Sequence, residues 1–205
     1  MIVAFMIPVS WMVRKLKTLE SMVIGMAMAT AGVLIAGLTN VGSLFLLGVV
    51  GFSLGEMLTG PKKNEYLGLI SPPGKKGQYL GYVNIPVGIG GWVGSMLQGY
   101  VYGNYGEKAV LAQKYLATEA SFMAGRVWDG SVGTLDAATG VVRPDAFARM
   151  MEFTGLDATA ATELLWNTYN PQYAVWLPFA GIGVAAIIAL VIFSRMARRW
   201  SDMNA

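Results

Sequence analysis

Three long blocks of mostly apolar residues constrain this chain more than any other feature of its sequence. They cover residues 21–39, 41–60 and 174–194. A helix needs about 20 mostly apolar residues to cross the hydrocarbon core of a bilayer, and each block has that length. The chain as a whole has 13% charged residues, whereas soluble domains have about 25%. These observations predict an all-α integral membrane protein built as a polytopic helix bundle.

Two further segments complete the predicted spans. Residues 79–102 carry no charge, are rich in glycine and include Asn84, Gln98 and Pro86, so we expect a span packed inside a bundle. Residues 1–13 are apolar and precede the basic sequence RKLK, the reverse of the order in a signal peptide. They are either the end of a helix that begins outside this chain or a short re-entrant or interfacial segment. The prediction is about four full spans plus a partial one.

The basic residues predict the orientation in the membrane. If the helices alternate, ten of them fall on one side: Arg14, Lys15, Lys17, Lys62, Lys63, Lys75, Lys76, Arg195, Arg198 and Arg199. Loops rich in Lys and Arg stay in the cytoplasm. Residues 103–173 hold more acidic than basic residues, which favours an extracytoplasmic loop. We therefore expect a multi-pass protein of the cell (inner) membrane, in which residues 174–205 form the last span and a cytoplasmic tail.

The long outer loop has the sequence signals of short helices. Asp157 is a plausible N-cap, and Pro171 follows the end of the same pattern. The segment RPDAFARMMEFTG begins with a proline suited to a first helical turn and ends on glycine. Two or three amphipathic helices are expected, which serve as a lid or packing element or as a binding surface.

Several kinds of chemistry are excluded by residues that the sequence lacks. There is no cysteine and no histidine, which excludes disulfides, zinc sites of the Cys/His type and nucleophiles activated by histidine within this chain. No nucleotide-binding motif is present. We expect no metal, no cofactor and no enzyme activity. A membrane enzyme acting through the acidic residues of the outer loop is an alternative, but those residues are scattered and suit solvated surfaces.

Glycine and proline predict where helices pack or bend. Gly90 and Gly94 have the GxxxG spacing that allows two membrane helices to approach closely. Pro61, Pro86 and Pro178 are expected to bend their helices or, for Pro61, to end one.

Glu56 is the only charged residue inside the four full spans. One interpretation is that its carboxylate reaches the interface or pairs with Lys62 or Lys63. The other is that it faces a central cavity, because ionisable residues inside membrane helices usually mark the path of a substrate or a proton. Asn84, near the start of the next span, is a weaker candidate for the same cavity.

The order of these parts resembles the C-terminal half of a major facilitator superfamily transporter. The similarity is carried by the basic loop RKLKTLE, two helices joined by a tight turn, GEMLTGP and GKKGQYLGYVNIPVGIGG. It covers residues 1–102 and 172–205, from the end of the eighth helix of such a transporter to the twelfth. The outer loop would then be an insertion between the eleventh and twelfth helices.

Within that superfamily, the chain is most similar to the proton-dependent oligopeptide transporters. The positions that carry this similarity are Gly55, Glu56, Pro61, Gly77, Gly81, Ile89 and Gly90. The chain departs from the pattern at Val83, where tryptophan is usual, and at Gly91, where asparagine is usual. The resemblance implies that Glu56 contacts the amino group of a peptide substrate.

The resulting hypothesis is a secondary active transporter that moves a small polar solute, such as a peptide, by proton symport with alternating access. Its partners would be the lipid bilayer, the solute, protons and an N-terminal helix bundle missing from this chain, with no nucleic acid. The alternative is an accessory or structural membrane subunit with an outer cap domain.

Overall fold

A computed structural model describes residues 17–197, and all regular secondary structure in that range is helical. The predictions for a partial span at 1–13 and for the cytoplasmic tail beyond residue 197 lie outside it. The described chain divides into two compact units. One contains the described residues up to Val93 and those from Trp176 onward, and the other contains Gly94–Val175.

Three helices are long and apolar enough to cross a membrane: α1 (Thr18–Leu38), α2 (Gly42–Leu69) and α10 (Pro171–Ala197). They match the three apolar blocks of the sequence. The expectation that Pro61 ends its helix is wrong, because α2 continues through Pro61 to Leu69. Residues 39–41 connect α1 to α2, and the Val41 amide donates a hydrogen bond of 3.0 Å to the Thr39 hydroxyl in this turn.

The segment predicted as a single span at 79–102 forms two helices instead. They are α3 (Lys76–Tyr82) and α4 (Asn84–Val101), separated at Val83. Pro86 explains the interruption, because proline lacks the amide hydrogen that would bond to the carbonyl of Tyr82 and its ring crowds that carbonyl. The helix α4 is not among the three that meet the length and hydropathy of a membrane span, so the structure supports three of the four full spans.

Glycines bring the backbones of α1 and α2 into direct contact. A Cβ atom added to Gly32 would lie 2.7 Å from the carbonyl oxygen of Gly48, and one added to Gly25 would lie 2.7 Å from that of Gly55. Ala29 packs against Gly55 in the same interface. Helices in lipid gain little from burying apolar side chains, so this close backbone packing is what holds the pair together.

The helix α10 packs against the other side of α1. A Cβ atom at Gly183 would lie 2.8 Å from a methyl carbon of Thr30, and one at Gly37 would lie 2.8 Å from the indole of Trp176. At the end of the bundle where α1 begins, Leu19 lies in one buried cluster with residues of α2 and α10. The three long helices therefore form one packed bundle.

The unit Gly94–Val175 consists of the end of α4 and a series of short elements. They are a π-helix (Tyr102–Gly106), α5 (Lys108–Thr118), α6 (Ala120–Met123), a 3₁₀ turn (Val132–Thr134), α7 (Leu135–Thr139), a second 3₁₀ turn (Arg143–Asp145), α8 (Ala146–Thr154), α9 (Ala158–Tyr169) and the start of α10. The expected N-cap is confirmed, since the Asp157 carboxylate accepts a hydrogen bond of 2.7 Å from the Ala160 amide.

This unit has a hydrophobic core of its own. Side chains from α5, α8 and α9 form it: Leu111, Ala112, Leu116, Ala146, Met150, Ala161 and Leu165. One polar side chain, Gln113, is completely buried beside this core. Its amide nitrogen donates to the Asp136 carboxylate and to the carbonyl of Val141, so it ties α5 to α7 and to the segment after it.

Candidate functional site

Glu56 lies in the middle of α2, directly after a glycine that packs against α1. Gly55 is buried in the α1–α2 interface, whereas Glu56 is exposed. Successive residues of a helix point about 100° apart, so the carboxylate leaves α2 to the side of the interface. Among the described residues, none forms a hydrogen bond or an ion pair with it.

If α2 crosses a membrane, the position of Glu56 along the helix would place it inside the apolar layer. At a rise of about 1.5 Å per residue, Glu56 lies about 21 Å from the helix start at Gly42. The hydrocarbon core of a bilayer is about 30 Å thick. With Gly42 at one edge of that core, Glu56 lies about two-thirds of the way across, where a charged side chain facing lipid costs about 2.5 kcal/mol or more.

One of the two interpretations of Glu56 included an ion pair with Lys62 or Lys63, and neither pair forms among the described residues. The Lys62 ammonium instead lies 2.7 Å from the carboxylate of Glu65, one turn further along α2. Lys62 is only 8% exposed, and the Thr18 hydroxyl of α1 donates a weak hydrogen bond of 3.4 Å to the same Glu65 carboxylate. Lys62 is therefore neutralised without Glu56.

The second predicted site residue, Asn84, is the first residue of α4 and is exposed. Asn84 forms no hydrogen bond with Glu56, and no other described residue hydrogen-bonds to its side chain. Its place in the site remains a prediction. Pro86 follows two residues later, so Asn84 lies where the helical hydrogen bonding is interrupted, although Val83 keeps helical backbone angles.

The two glycines predicted to pack, Gly90 and Gly94, do not approach a described neighbour closely. A Cβ atom added to Gly90 or Gly94 would meet no described atom within 4 Å. The close contacts involve Gly25 and Gly32 on α1 and Gly48 and Gly55 on α2. A sequence signal for them exists, because both pairs are seven residues apart and so lie on one face of their helices.

Several acidic residues of the unit Gly94–Val175 have structural partners. Glu107 pairs with Arg143 at 3.4 Å, and Glu152 pairs with Arg149. Asp129 closes the turn before α7: hydrogen bonds from the Thr134 hydroxyl and the Ser131 amide lower the pKa of its carboxyl. In the described part of the chain, no three carboxylates come together as a metal site.

Burial also shifts the pKa values of other ionisable groups in this unit. It lowers the pKa of Lys114, whose ammonium donates a hydrogen bond of 2.6 Å to the Asn104 carbonyl in the π-helix. It raises the pKa of Tyr169, even though a hydrogen bond from Thr118 works in the opposite direction. Neither group adjoins Glu56 in the sequence.

The described residues thus offer the unpaired Glu56 carboxylate, on a helix long and apolar enough to cross a membrane, as the centre of a site. Such a group can bind a cation and can exist with or without a proton. Comparisons with protein-family models, with curated proteins and with solved structures find no match for this chain.

Proposed function

We propose that this chain is a membrane-embedded part of a secondary active transporter that moves a small polar solute, such as a peptide, together with protons. Glu56 on α2 would be its central site residue. The similarity of GEMLTGP and GKKGQYLGYVNIPVGIGG to the proton-dependent oligopeptide branch of the major facilitator superfamily supports this assignment. So does the packed bundle of three helices that meet the length and hydropathy of membrane spans.

The observation that carries the proposal is the isolation of the Glu56 carboxylate. It is exposed on an apolar helix and has no partner among the described residues. Inside a membrane, such a group needs water, a cation or a polar partner around it. A solvated cavity between two helix bundles meets that need, and secondary transporters place their substrate and ion sites in such a cavity.

The chemistry of a carboxylate suits coupled transport. In its charged form, Glu56 would accept hydrogen bonds from the ammonium group of a peptide. In its protonated form, Glu56 would instead carry the proton and donate a hydrogen bond to an acceptor oxygen of the solute, so that the proton and the solute cross the membrane together. Asn84 would contribute a neutral hydrogen-bonding group to the same cavity. Alternating access requires two bundles that move against each other, and this chain would form one of them.

The proposed orientation places Lys62, Lys63, Lys75 and Lys76 in the cytoplasm and residues 103–173 outside the cell. Cysteine labelling tests it, because the chain has no native cysteine. Glu163→Cys and Lys76→Cys both introduce a thiol at an exposed position. An impermeant thiol reagent should label only the first variant in intact cells. Labelling of Lys76→Cys alone would reverse the orientation.

The role of Glu56 is tested by Glu56→Gln in the complete transporter in proteoliposomes, with dialanine as the probe. Because the amide keeps the shape and cannot exchange a proton, uptake driven by a proton gradient should be lost. Glu163→Gln is the matched control, since it makes the same change at an exposed position in the other unit. Normal uptake by Glu56→Gln across pH would make Glu56 an interfacial residue and refute the proposal.

A second candidate function is an accessory or structural membrane subunit with an outer cap domain. The observation that favours it is the separate hydrophobic core of Gly94–Val175. The two functions differ in what removal of that unit does. Replacement of residues 107–169 by a short flexible linker should leave proton-driven uptake in place if the chain transports. It should abolish the function of the partner protein if the unit is a cap.

A further inference from the structure

A cavity of about 350 Å³ opens between the first turns of α1 and the last turns of α10. Both helices belong to the bundle of three candidate membrane spans. The cavity is lined by Glu20, Val23, Ile24, Val191, Ser194 and Arg195. It therefore combines one acid, one base, one hydroxyl and three branched aliphatic side chains at one end of the bundle, far from the level of Gly48 and Gly32.

Two polar groups of this cavity have no partner in the described chain. The guanidinium of Arg195 forms neither an ion pair nor a hydrogen bond with a described residue. Ser194 is only 8% exposed, and none of the described residues hydrogen-bonds to its hydroxyl.

The hydroxyls of the other two long helices behave differently. Thr30 and Ser53 each donate to the carbonyl four residues earlier in their own helix, and Ser21 of α1 donates to the Leu58 carbonyl of α2. Arg195 is exposed, and the Ser194 hydroxyl is not fully enclosed by protein atoms, so both groups can donate to a ligand with acceptor oxygens.

The location of the cavity restricts that ligand further. The end of a membrane-crossing helix lies at the level of the lipid headgroups, where apolar acyl chains meet charged groups. Val23, Ile24 and Val191 give the cavity an aliphatic wall, which suits the first methylene groups of an acyl chain.

We propose that this cavity binds the headgroup of a zwitterionic phospholipid that carries a primary amine, with its phosphate at Arg195 and Ser194 and its ammonium at Glu20. A guanidinium presents two parallel donors to phosphate oxygens. Glu20 also interacts elsewhere in the chain. However, a carboxylate offers about four acceptor positions, so it can still accept hydrogen bonds from an ammonium group.

The charges of the cavity distinguish between classes of lipid. A quaternary choline group has no hydrogen to donate to Glu20, and the glycerol of an anionic headgroup has no positive charge. A soluble zwitterion such as phosphoethanolamine has the same polar groups but cannot use the aliphatic wall. The proposed order of affinity is therefore phosphatidylethanolamine, then phosphatidylcholine and phosphatidylglycerol, and last phosphoethanolamine.

Native mass spectrometry of the complete chain in detergent tests this order. The three phospholipids are added in equal amounts with identical acyl chains. We expect phosphatidylethanolamine to be retained preferentially. Arg195→Gln should reduce the retention of all three lipids, by about tenfold for the loss of one charge-assisted hydrogen-bonding group. Glu20→Gln should remove the preference for phosphatidylethanolamine over phosphatidylglycerol and leave phosphatidylglycerol binding intact.

Two further variants test whether the cavity itself is responsible for lipid retention. Lys63→Gln removes one positive charge from a residue that does not line the cavity, and it should leave lipid retention unchanged. Val191→Phe narrows the cavity without changing its charge and should reduce the retention of all lipids, with helical content checked by circular dichroism. Equal retention of the three phospholipids by the unmodified chain would overturn the proposal. So would equal effects of Arg195→Gln and Lys63→Gln. Competition by phosphoethanolamine at the lipid's own concentration would identify a soluble ligand instead.

Discussion

The two units of this protein are both helical but are stabilised in different ways. Between α1 and α2, the closest backbone contacts are made at glycine and alanine, while large apolar side chains such as Phe45 on α2 and Ile188 on α10 are exposed. In Gly94–Val175, the large side chains of Leu116 and Met150 are completely buried. The difference follows from the solvent: water drives apolar side chains together, whereas lipid does not, so close backbone contact takes over.

The largest expected effect is in the core of Gly94–Val175. Met150→Ala removes a fully buried side chain and should reduce the free energy of unfolding by about 2–5 kcal/mol. Met196→Ala is the matched control, because Met196 lies on α10 and is exposed. Hydrogen exchange of the complete chain in lipid nanodiscs measures both, with faster exchange expected in α5, α8 and α9 for Met150→Ala alone. Equal exchange in both variants would contradict the comparison.

The next effect is in the glycine interface. Gly48→Leu places a side chain against the backbone of α1 and should destabilise the bundle by about 1–3 kcal/mol, the usual cost of overpacking. Gly90→Leu makes the same change where no described atom lies within 4 Å and should cost much less. Unfolding by increasing concentrations of a denaturing detergent, followed by circular dichroism, measures the difference in stability between the two variants. If Gly90→Leu destabilises the chain as strongly, α4 packs closely against another helix.

The smallest expected effect is the pH dependence of stability in the unit Gly94–Val175. Burial lowers the pKa of Lys114, whereas the unfolded chain keeps the ordinary lysine pKa of about 10.4. Below the lowered pKa, lysine is charged in both states and the penalty for burying the charge is complete. As pH rises through the window between the two values, the folded state loses its proton first, so stability should rise.

The measurement is the difference in unfolding free energy between the natural chain and Lys114→Met as a function of pH. Taking this difference removes the opposite pH dependence that Tyr169 contributes, because its raised pKa is present in both proteins. The difference should be constant at neutral pH and change only in the alkaline window. A difference that does not vary with pH would show that the ammonium is fully solvated in the folded protein.

Local signals in the sequence were sufficient for several parts of this structure. Asp157 was expected to cap a helix because a carboxylate beside free amide hydrogens satisfies them, and it does so. The three long helices were expected from block length and composition alone. Glu56 was expected to be unusual because it is charged within an apolar segment, and the structure leaves it unpaired among the described residues.

Features that depend on a second segment could not be predicted in the same way. Gly25 and Gly48 pack because they meet a partner helix at the right level, and single-helix patterns such as the spacing of Gly90 and Gly94 do not contain that information. An ion pair between Glu56 and Lys62 stayed open as an alternative because α2 was expected to end or bend at Pro61. The helix continues instead, so Lys62 meets Glu65 three residues later on the same face, whereas Glu56 lies six residues earlier.

The turn at Thr39–Val41 has a consequence for how the protein enters its membrane. No charged residue occurs between Glu20 and Glu56, so no charge must be carried through the hydrocarbon when the turn crosses it. The glycine contacts between α1 and α2 can form as soon as both helices have emerged during synthesis. We therefore expect the two helices to insert together as a preassembled hairpin, before the rest of the chain is made.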